Sequence, residues 1–338
     1  MQQASRLNFS ENKRISTVFF GGGTPSSLPS SRLIQLLEAS GNCFNTVHTA
    51  TEISVEVNPA TVEGKDLEQL CSTGFNRLSI GIQSFNDDEL QALGRPHTAA
   101  EARNTFNLAR RAGFDNISLD LMYGIPGQTF TSWRKSLATA LELGPEHLSI
   151  YELTIEEGTV FEELRMKGKL HLPEEDEVLR MMRVILSETE KKGLRRYEIS
   201  NYARAGLECR HNINYWRNGP YIGIGAGAVS CLAGRRYSAV ADIEEYCRRI
   251  ENNESVISEI EELNQKARFR ESVVMGLRMT EGISVEKLEQ RFGLNAIEYY
   301  GEILDRLQQN DLLACDGDFI RLSDKGLLLA NRVMAELV

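Results

Sequence analysis

Short apolar segments recur through the first half of the chain, and each ends in glycine, proline or a polar residue. They lie at 17–20, 51–57, 77–82, 117–122 and 147–153. Between them are stretches whose apolar residues are three and four positions apart, at 33–37, 67–70, 99–112 and 132–143. The first pattern is typical of buried strands and the second of amphipathic helices. Their alternation predicts right-handed β/α crossovers, a parallel sheet and therefore an α/β fold.

Polar residues mark the C-terminal ends of these predicted strands. The first strand opens into residues 21–25, Gly-Gly-Gly-Thr-Pro, and Glu56, Gln83 and Asp120 lie near the ends of three successive strands. Ligands of parallel β/α barrels bind at this rim, and glycine lets a ligand approach the backbone closely. A helix cap or a loop carboxylate explains any one of these residues alone. Together they predict a ligand site at the rim.

The composition and charge of the chain disfavour some classes of function. The 338 residues are 41% hydrophobic and carry a formal net charge of −10, which is ordinary for a globular chain. This acidic balance disfavours a general binder of nucleic acids or anionic membranes. No apolar stretch reaches the length of about 18 residues that a membrane span needs. Residues 1–6 are polar and do not resemble a secretion signal, so we expect a cytoplasmic protein without membrane insertion.

Six cysteines are scattered along the chain. They lie at positions 43, 71, 209, 231, 247 and 315. No pair is spaced as Cys-x-x-Cys, and no histidine joins them at the spacing of zinc ligands. We therefore expect reduced, partly buried thiols, and we predict no metal site.

Seven sequence blocks, in order along the chain, resemble one protein family. They are 18–26 (VFFGGGTPS), 54–59 (SVEVNP), 76–85 (NRLSIGIQSF), 93–97 (LGRPH), 120–127 (DLMYGIPG), 197–202 (YEISNY) and 209–216 (CRHNINYW). The family is the radical S-adenosylmethionine (SAM) family of oxygen-independent coproporphyrinogen oxidases. The last block, with its His-Asn-x-x-Tyr-Trp pattern, resembles the heme chaperone branch of this family.

The resemblance implies a cofactor for the rim. The implied SAM-binding residues are Gly22, Gly23, Thr24, Glu56, Gln83, Arg95 and Asp120. In the family the glycine turn and its threonine offer main-chain groups to the methionyl amine, and the carboxylate of Glu56 accepts from polar groups of SAM. Gln83, Arg95 and Asp120 line the rest of the nucleoside and carboxylate pocket, a task that suits an arginine because it binds carboxylates strongly.

The last block also suggests heme or porphyrin as a ligand. His211 is the residue we single out as a heme-iron ligand, beside Tyr215 and Trp216. A histidine whose hydrogen bonds hold a loop in place is the other interpretation. The Gly-x-Gly-x-Gly pattern within 221–230 predicts a tightly packed turn, since it lacks the strand and distant acid of a dinucleotide site.

The chain departs from the family in one respect. Family members carry a Cys-x-x-x-Cys-x-x-Cys loop, whose thiolates hold a [4Fe–4S] cluster. No cysteine precedes the glycine turn here. We therefore expect an incomplete radical-SAM-type parallel β/α barrel, truncated before its first strand and cluster loop. A true paralogue without radical chemistry is the alternative, and we assign no catalytic residues.

We expect three segments. They are a partial barrel at 1–165, a barrel extension with the His-Asn-x-x-Tyr-Trp block at 166–255, and a small α+β winged-helix-like module at 260–338. The module is predicted from helices at 267–279, 284–293 and 297–308 and a hairpin at 312–322. Glu286 and Glu289 lie beside Lys287 and Arg291, which leaves no basic face for DNA. A structural or docking cap is therefore the better interpretation.

Three functional hypotheses follow from the resemblance. The first is a heme chaperone of the radical SAM class that binds heme and SAM and delivers heme to membrane respiratory proteins. The second is an oxygen-independent coproporphyrinogen III oxidase, which decarboxylates porphyrinogen propionates. The third is a heme- or protein-binding scaffold that has lost its cluster. Whether the chain is an enzyme is left open by the missing cluster cysteines.

Overall fold

The structure is a computed structural model that describes residues 15–44 and 51–338. The polar start of the chain, predicted not to be a secretion signal, lies outside the described residues. The described chain forms two compact units. The sheet unit contains residues 16–38 and 51–208, and the C-terminal unit contains Ile15, 39–44 and 209–338. The three predicted segments, with boundaries at 165 and 255, stay predictions.

Seven strands form the sheet of the first unit. They are β1 (Thr17–Phe20), β2 (Glu52–Val57), β3 (Arg77–Gln83), β4 (Ile117–Tyr123), β5 (His147–Glu152), β6 (Arg195–Arg196) and β7 (Asn201–Ala203), in the order β1-β2-β3-β4-β5-β7-β6. Strands β1 to β5 are parallel and follow chain order, which confirms the predicted α/β fold. The antiparallel β6 and β7 were not predicted, because two or three residues are too short to show an alternating pattern.

Helices follow the strands, and those at the predicted stretches 33–37, 67–70, 99–112 and 132–143 are confirmed. They are α1 (Ser30–Phe44), α2 (Gly64–Ser72), α3 (Asp87–Ala92), α4 (Ala99–Arg111), α5 (Phe130–Leu143), α6 (Val160–Met166) and α7 (Glu175–Lys191). Side chains fix where they begin: Thr98 and Thr129 cap α4 and α5 by accepting from the backbone three residues on. None of the described helices is long and apolar enough to cross a membrane.

The two faces of the sheet differ in polarity. Alternate residues such as Val55, Ile80 and Leu119 are fully buried in one apolar cluster. Helices α5 and α7 belong to the same cluster, and the Trp133 indole N–H donates to the Met181 carbonyl oxygen at 3.1 Å. A buried indole needs such a partner, so this bond fixes the position of α7 on α5.

The opposite face carries polar side chains in register. Glu56 pairs with Ser79, Ser79 with Ser118, and Asp120 with Ser149. Because neighbours in register point to the same side of a sheet, these five side chains share one face, which we call the polar face.

The C-terminal unit is mixed α and β. Its elements are α8 (Arg210–Trp216), β8 (Val229–Leu232), β9 (Arg235–Ala239), α9 (Ile243–Glu251), β10 (Ile257–Glu262), α10 (Gln265–Gly276), β11 (Ile283–Ser284), α11 (Val285–Phe292), α12 (Ala296–Tyr300), α13 (Glu302–Gln309), β12 (Leu313–Asp316), β13 (Phe319–Leu322), α14 (Asp324–Leu328) and α15 (Ala330–Ala335). Two antiparallel sheets form, with the orders β10-β9-β8 and β11-β13-β12.

The predicted winged-helix-like features are present in this unit with one correction. The hairpin β12–β13 forms, and the Ser284 hydroxyl caps α11 by accepting from the Lys287 N–H at 3.1 Å. The single helix predicted at 297–308 was wrong. Gly301, at φ 42° and ψ −118°, separates α12 from α13, because this conformation lies outside the helical region and is accessible mainly to glycine.

Candidate functional site

The glycine turn after β1 leaves open space at the C-terminal edge of the sheet. Gly22 and Gly23 have φ values of 80° and 66°, in the left-handed region that favours glycine. A Cβ atom on either would meet no atom within 4 Å. The Gly22 N–H donates to the carboxylate of Glu56 on the adjacent strand. The turn therefore exposes backbone beside a carboxylate.

Two carboxyl groups lie on the polar face. Burial raises the pKa of Glu56, and the nearby Asp120 charge raises it further. The pKa of Asp120 is also raised by burial, which outweighs the charge of Arg77 and hydrogen bonds from the hydroxyls of Ser79, Ser118 and Ser149. The Ser79 Oγ lies 3.1 Å from Asp120 Oδ1. Because both ionised groups are short of solvation, a cationic ligand would stabilise them.

Gln83 has an uncommon backbone conformation. Its φ is 69°, it is buried, and the register between β3 and β4 shifts just before it. Few residues other than glycine, asparagine and aspartate adopt this conformation, and such residues cluster at functional sites. The Tyr151 hydroxyl donates to Gln83 Oε1 at 2.6 Å. The end of β3 is thus tied to β5.

Tyr151 lies among the predicted site residues. Its pKa is raised to about 12, mainly by burial and then by the charge of Asp120, while Arg95 lowers it and Glu56 raises it. Tyr151 is thus hydrogen-bonded to Gln83 and senses the charges of Glu56, Arg95 and Asp120. These four predicted residues therefore have one common neighbour, Tyr151.

Several residues of this site were not predicted. Asn58 is one of them, and its Nδ2 donates to the hydroxyl of the predicted residue Thr24 at 3.2 Å. Ser79 and Tyr151 belong to the polar face without being named. The signal for both was the period of two along each strand, because Tyr151 lies two residues beyond Ser149 and therefore on the same face.

His211 lies in a row of aromatic rings in the C-terminal unit. Its ring is 5.0 Å from that of Tyr215, one helical turn later on α8, in an edge-on arrangement. Tyr215 is in turn 4.6 Å from Tyr221. Cys209, at the start of the helix, is fully buried. The half-buried histidine is therefore accessible, whereas the cysteine thiol beside it is not.

The cavity beside these rings is small. It has a volume of about 50 Å³, and Tyr215, Tyr221, Cys231, Arg236, Glu271 and Met275 help to line it. Pockets for drug-sized ligands are several hundred cubic ångströms in volume, so this one is too small for a porphyrin. A porphyrin at His211 would have to lie against the surface of α8.

Comparison with known proteins places this geometry in a family. The Radical SAM superfamily matches residues 4–140, and the HemN C-terminal domain matches residues 263–329. The heme chaperone HemW of Bacillus subtilis (strain 168) is 37% identical over 319 residues, covering 94% of this chain and 84% of its own length. HemW of Lactococcus lactis is 35% identical, covering 97% and 86%. The chain belongs to the HemW family.

A solved structure agrees with this assignment at the level of the fold. The coproporphyrinogen III oxidase HemN from Escherichia coli, described as a radical SAM enzyme, superimposes with a TM-score of 0.84 at 22% identity. The match covers 99% of this chain and 80% of the oxidase. Identity this low shows a shared fold and does not show a shared activity.

The rim residues suit SAM, the cofactor that gives the superfamily its name. SAM carries a sulfonium, an ammonium and a carboxylate. The raised pKa values of Glu56 and Asp120, which burial causes, show two carboxyl groups that a cation would stabilise. Arg95 matches a carboxylate, and the space at Gly22 and Gly23 admits a ligand next to the backbone.

The cysteines of this chain do not suit a [4Fe–4S] cluster. They are distributed over α1, α2, β8, α9 and β12, with Cys209 preceding α8. In residues 15–44 and 51–338, no three His, Cys, Asp or Glu side chains converge as metal ligands would. We therefore describe no chemistry through a cluster.

Proposed function

We propose that this HemW-family chain binds SAM at the rim of its parallel sheet. The proposal is supported by two observations: Gly22 of the open glycine turn donates to Glu56, which senses the Asp120 charge, and Tyr151 bonds to Gln83 and senses the charges of Glu56, Arg95 and Asp120. The carboxylates would hold the cationic end of SAM, and Arg95 its carboxylate. The turn at Gly22, Gly23 and Thr24 would supply main-chain groups.

Calorimetric titration with SAM tests this site. We expect measurable binding by the wild type and at least tenfold weaker binding by Glu56→Gln and by Asp120→Asn, because each loses a charge-assisted contact worth about 1.5–3 kcal/mol. Glu244→Gln, an exposed change on α9, is the matched control and should bind normally. Equal affinity in all four proteins would refute the proposed site.

We further propose that the chain binds heme against the surface of α8, as a heme chaperone. The support is its similarity to proteins named heme chaperone HemW and the accessible His211–Tyr215–Tyr221 row. A neutral imidazole is a common iron ligand, and the neighbouring rings offer flat surface to a porphyrin. Heme would then be cargo that passes to an acceptor.

Heme titration followed by the Soret band tests the ligand. We expect His211→Ala to weaken binding and shift the band, and His171→Ala, at an exposed histidine of the sheet unit, to leave both unchanged. Cys209→Ala should also bind heme normally, since its thiol is buried. An unaltered band in His211→Ala would remove His211 as the ligand.

Two finer points stay predictions. Membrane respiratory proteins as heme acceptors and a cytoplasmic location were inferred from resemblance and composition. The oxidase alternative gains no support from the fold match to HemN, because 22% identity shows a shared fold alone. The SAM titration distinguishes the first hypothesis from the cluster-free scaffold, because a scaffold should bind heme but not SAM.

A further inference from the structure

A line of polar side chains crosses the C-terminal ends of the strands at the proposed SAM site. Asn58 Nδ2 donates to the Thr24 hydroxyl at 3.2 Å, and the Tyr151 hydroxyl donates to Gln83 Oε1 at 2.6 Å. Between these two pairs, Asn58 Oδ1 and Gln83 Nε2 lie 3.1 and 3.3 Å from the position of a Cβ on Gly81. The line therefore runs from the glycine turn to β5.

The hydrogen bonds set the direction of each amide. Asn58 turns its Nδ2 toward Thr24, so its Oδ1 acceptor faces Gly81 and Gln83. Burial raises the pKa of Tyr151 to about 12, so its phenol is neutral and keeps a proton to donate to Gln83 Oε1. Because Gln83 Oε1 accepts from Tyr151 on β5, its Nε2 lies at the other side of the amide, where it is 3.3 Å from the position of a Cβ on Gly81.

Gln83 needs this support because its backbone is strained. A φ of 69° costs a residue with a long side chain free energy that neighbouring contacts must offset. Gly81 contributes by lacking a side chain, since a Cβ there would press on both amides. The hydrogen bond from Tyr151 and the small residue at position 81 thus both favour one orientation of the Gln83 side chain.

We propose that Tyr151 is a positioning residue that holds Gln83 with its Nε2 hydrogens facing the pocket, where they donate to an oxygen of the ligand. The inference rests on the proposed SAM site and specifies its polarity. At this position the site selects an acceptor, such as a hydroxyl or carboxylate oxygen of SAM. Asn58 and Gly81 support the same orientation from the other side.

A double-mutant cycle on SAM affinity tests the proposal. Tyr151→Phe should weaken SAM binding about three- to tenfold, the range expected for one lost hydrogen bond. Gln83→Asn keeps a residue that tolerates the left-handed region but is too short to reach Tyr151. In the Gln83→Asn background, Tyr151→Phe should have no further effect on affinity. Equal weakening in both backgrounds, or none in the wild-type background, overturns the proposal.

A spectroscopic measurement separates positioning from a general structural role. In protein labelled with ¹⁵N in glutamine only, the side-chain amide signal of Gln83 is the one missing from Gln83→Asn. We expect Tyr151→Phe to shift this signal with little change in melting temperature, and Tyr299→Phe in the C-terminal unit to leave it in place. An unmoved Gln83 signal in Tyr151→Phe contradicts the inference.

A second variant covers the case in which Tyr151→Phe does not fold. Gly81→Ala leaves Tyr151 intact but displaces the two amides, and should weaken SAM binding at least threefold, within the range for one hydrogen bond. Normal affinity in Gly81→Ala would also contradict the inference. If the wild type itself fails to bind SAM, the proposed function falls. If the wild type binds and the variants bind equally well, only the role of Tyr151 falls.

Discussion

Glu56 and Asp120 are carboxyl groups whose surroundings make the ionised form costly. Burial is the main cause of the raised pKa of each, and their mutual repulsion adds to that of Glu56. The Gly22 N–H and three serine hydroxyls offset part of this cost by donating to the ionised forms, and the charge of Arg77 offsets a further part. A cation bound between them would stabilise the same ionised forms, so ligand and protons compete.

This competition predicts that SAM binding releases protons. As pH falls, Glu56 and Asp120 take up protons at a higher pH than ordinary carboxyl groups do, because their pKa values lie above the usual 4.5 and 3.8. A cationic ligand lowers these pKa values and expels the protons, so SAM affinity should rise with pH until both groups are ionised. Calorimetry at a series of pH values, each in two buffers of different ionisation enthalpy, measures the number of protons released on binding. Glu56→Gln should release fewer, and a pH-independent affinity would contradict the argument.

Glu56 and Asp120 also affect the stability of the ligand-free fold, and their contribution to stability falls as pH rises. A raised pKa means that the folded state binds more protons than the unfolded chain. The stabilisation from Glu56 and Asp120 is therefore fully present below the usual values of 4.5 and 3.8 and is lost as pH rises through the raised values. Fold stability and SAM affinity should thus respond to pH in opposite directions at this site.

At the scale of elements, His147 joins the start of β5 to its neighbours. Its Nδ1 lies 2.8 Å from the Ser118 hydroxyl on β4, and its Nε2 lies 2.8 Å from the Tyr197 hydroxyl. The ring is fully buried, and burial together with the charge of Arg77 holds its pKa well below 6.5. The imidazole is therefore neutral and bound at both nitrogens.

We predict that His147 makes the sheet unit sensitive to acid. The unfolded chain takes up a proton near pH 6.5 while the folded chain does not, so stability is lost as pH falls below 6.5. The free energy of unfolding should fall by about 1 kcal/mol per pH unit from this group alone. His147→Asn should be less stable at pH 8 but show a shallower slope. The exposed His171→Asn should keep the wild-type slope, and a shallow slope in the wild type would show the prediction to be wrong.

Glycines in the β11-β13-β12 sheet allow a second test at this scale. Gly282 has a φ of 76°, and a Cβ on it would overlap the Ile320 carbonyl oxygen, whereas Gly317, at 58°, has open space. Gly317→Ala should cost about 1 kcal/mol for backbone strain alone. Gly282→Ala adds a steric clash and should cost about 2–4 kcal/mol. Denaturant unfolding compares the two, and equal losses would refute the clash argument.

The elements show which features a single sequence can predict. Strands β1 to β5 alternate with helices strongly enough for both the fold and the polar rim to follow from spacing. Gln83 was placed at a strand end, but its left-handed backbone depends on a register shift against β4. Tyr151 was overlooked because its partner Gln83 is 68 positions away in the chain. Local patterns do not report long-range hydrogen bonds.

At the scale of the whole chain, the two units carry different parts of the proposed function. The rim with Glu56 and Asp120 belongs to the sheet unit, and His211 belongs to the C-terminal unit. The family matches divide similarly, with the Radical SAM superfamily at 4–140 and the HemN C-terminal domain at 263–329. SAM binding and heme binding should therefore be separable by point mutation: Glu56→Gln should retain heme and His211→Ala should retain SAM.

The distribution of thiols over the whole chain leads to the last prediction, that this chain does not assemble a [4Fe–4S] cluster. Such a cluster needs several thiolates at one place, whereas each cysteine here lies on or next to a different element. Partial burial raises the pKa of Cys71, which keeps this thiol protonated and makes it a poorer iron ligand.

Anaerobic reconstitution with ferrous iron and sulfide tests whether the chain assembles a cluster. Absorption spectra and iron analysis give the result. Cys43, Cys247 and Cys315 are exposed and can collect iron nonspecifically, so the variant with all three changed to Ser is the control. We expect substoichiometric iron in the wild type and still less in this variant. Stoichiometric iron and sulfide with a cluster band that persists in the triple variant would reveal a ligand set built from the other cysteines. SAM affinity should be the same before and after reconstitution, because the rim residues bind the cofactor without iron.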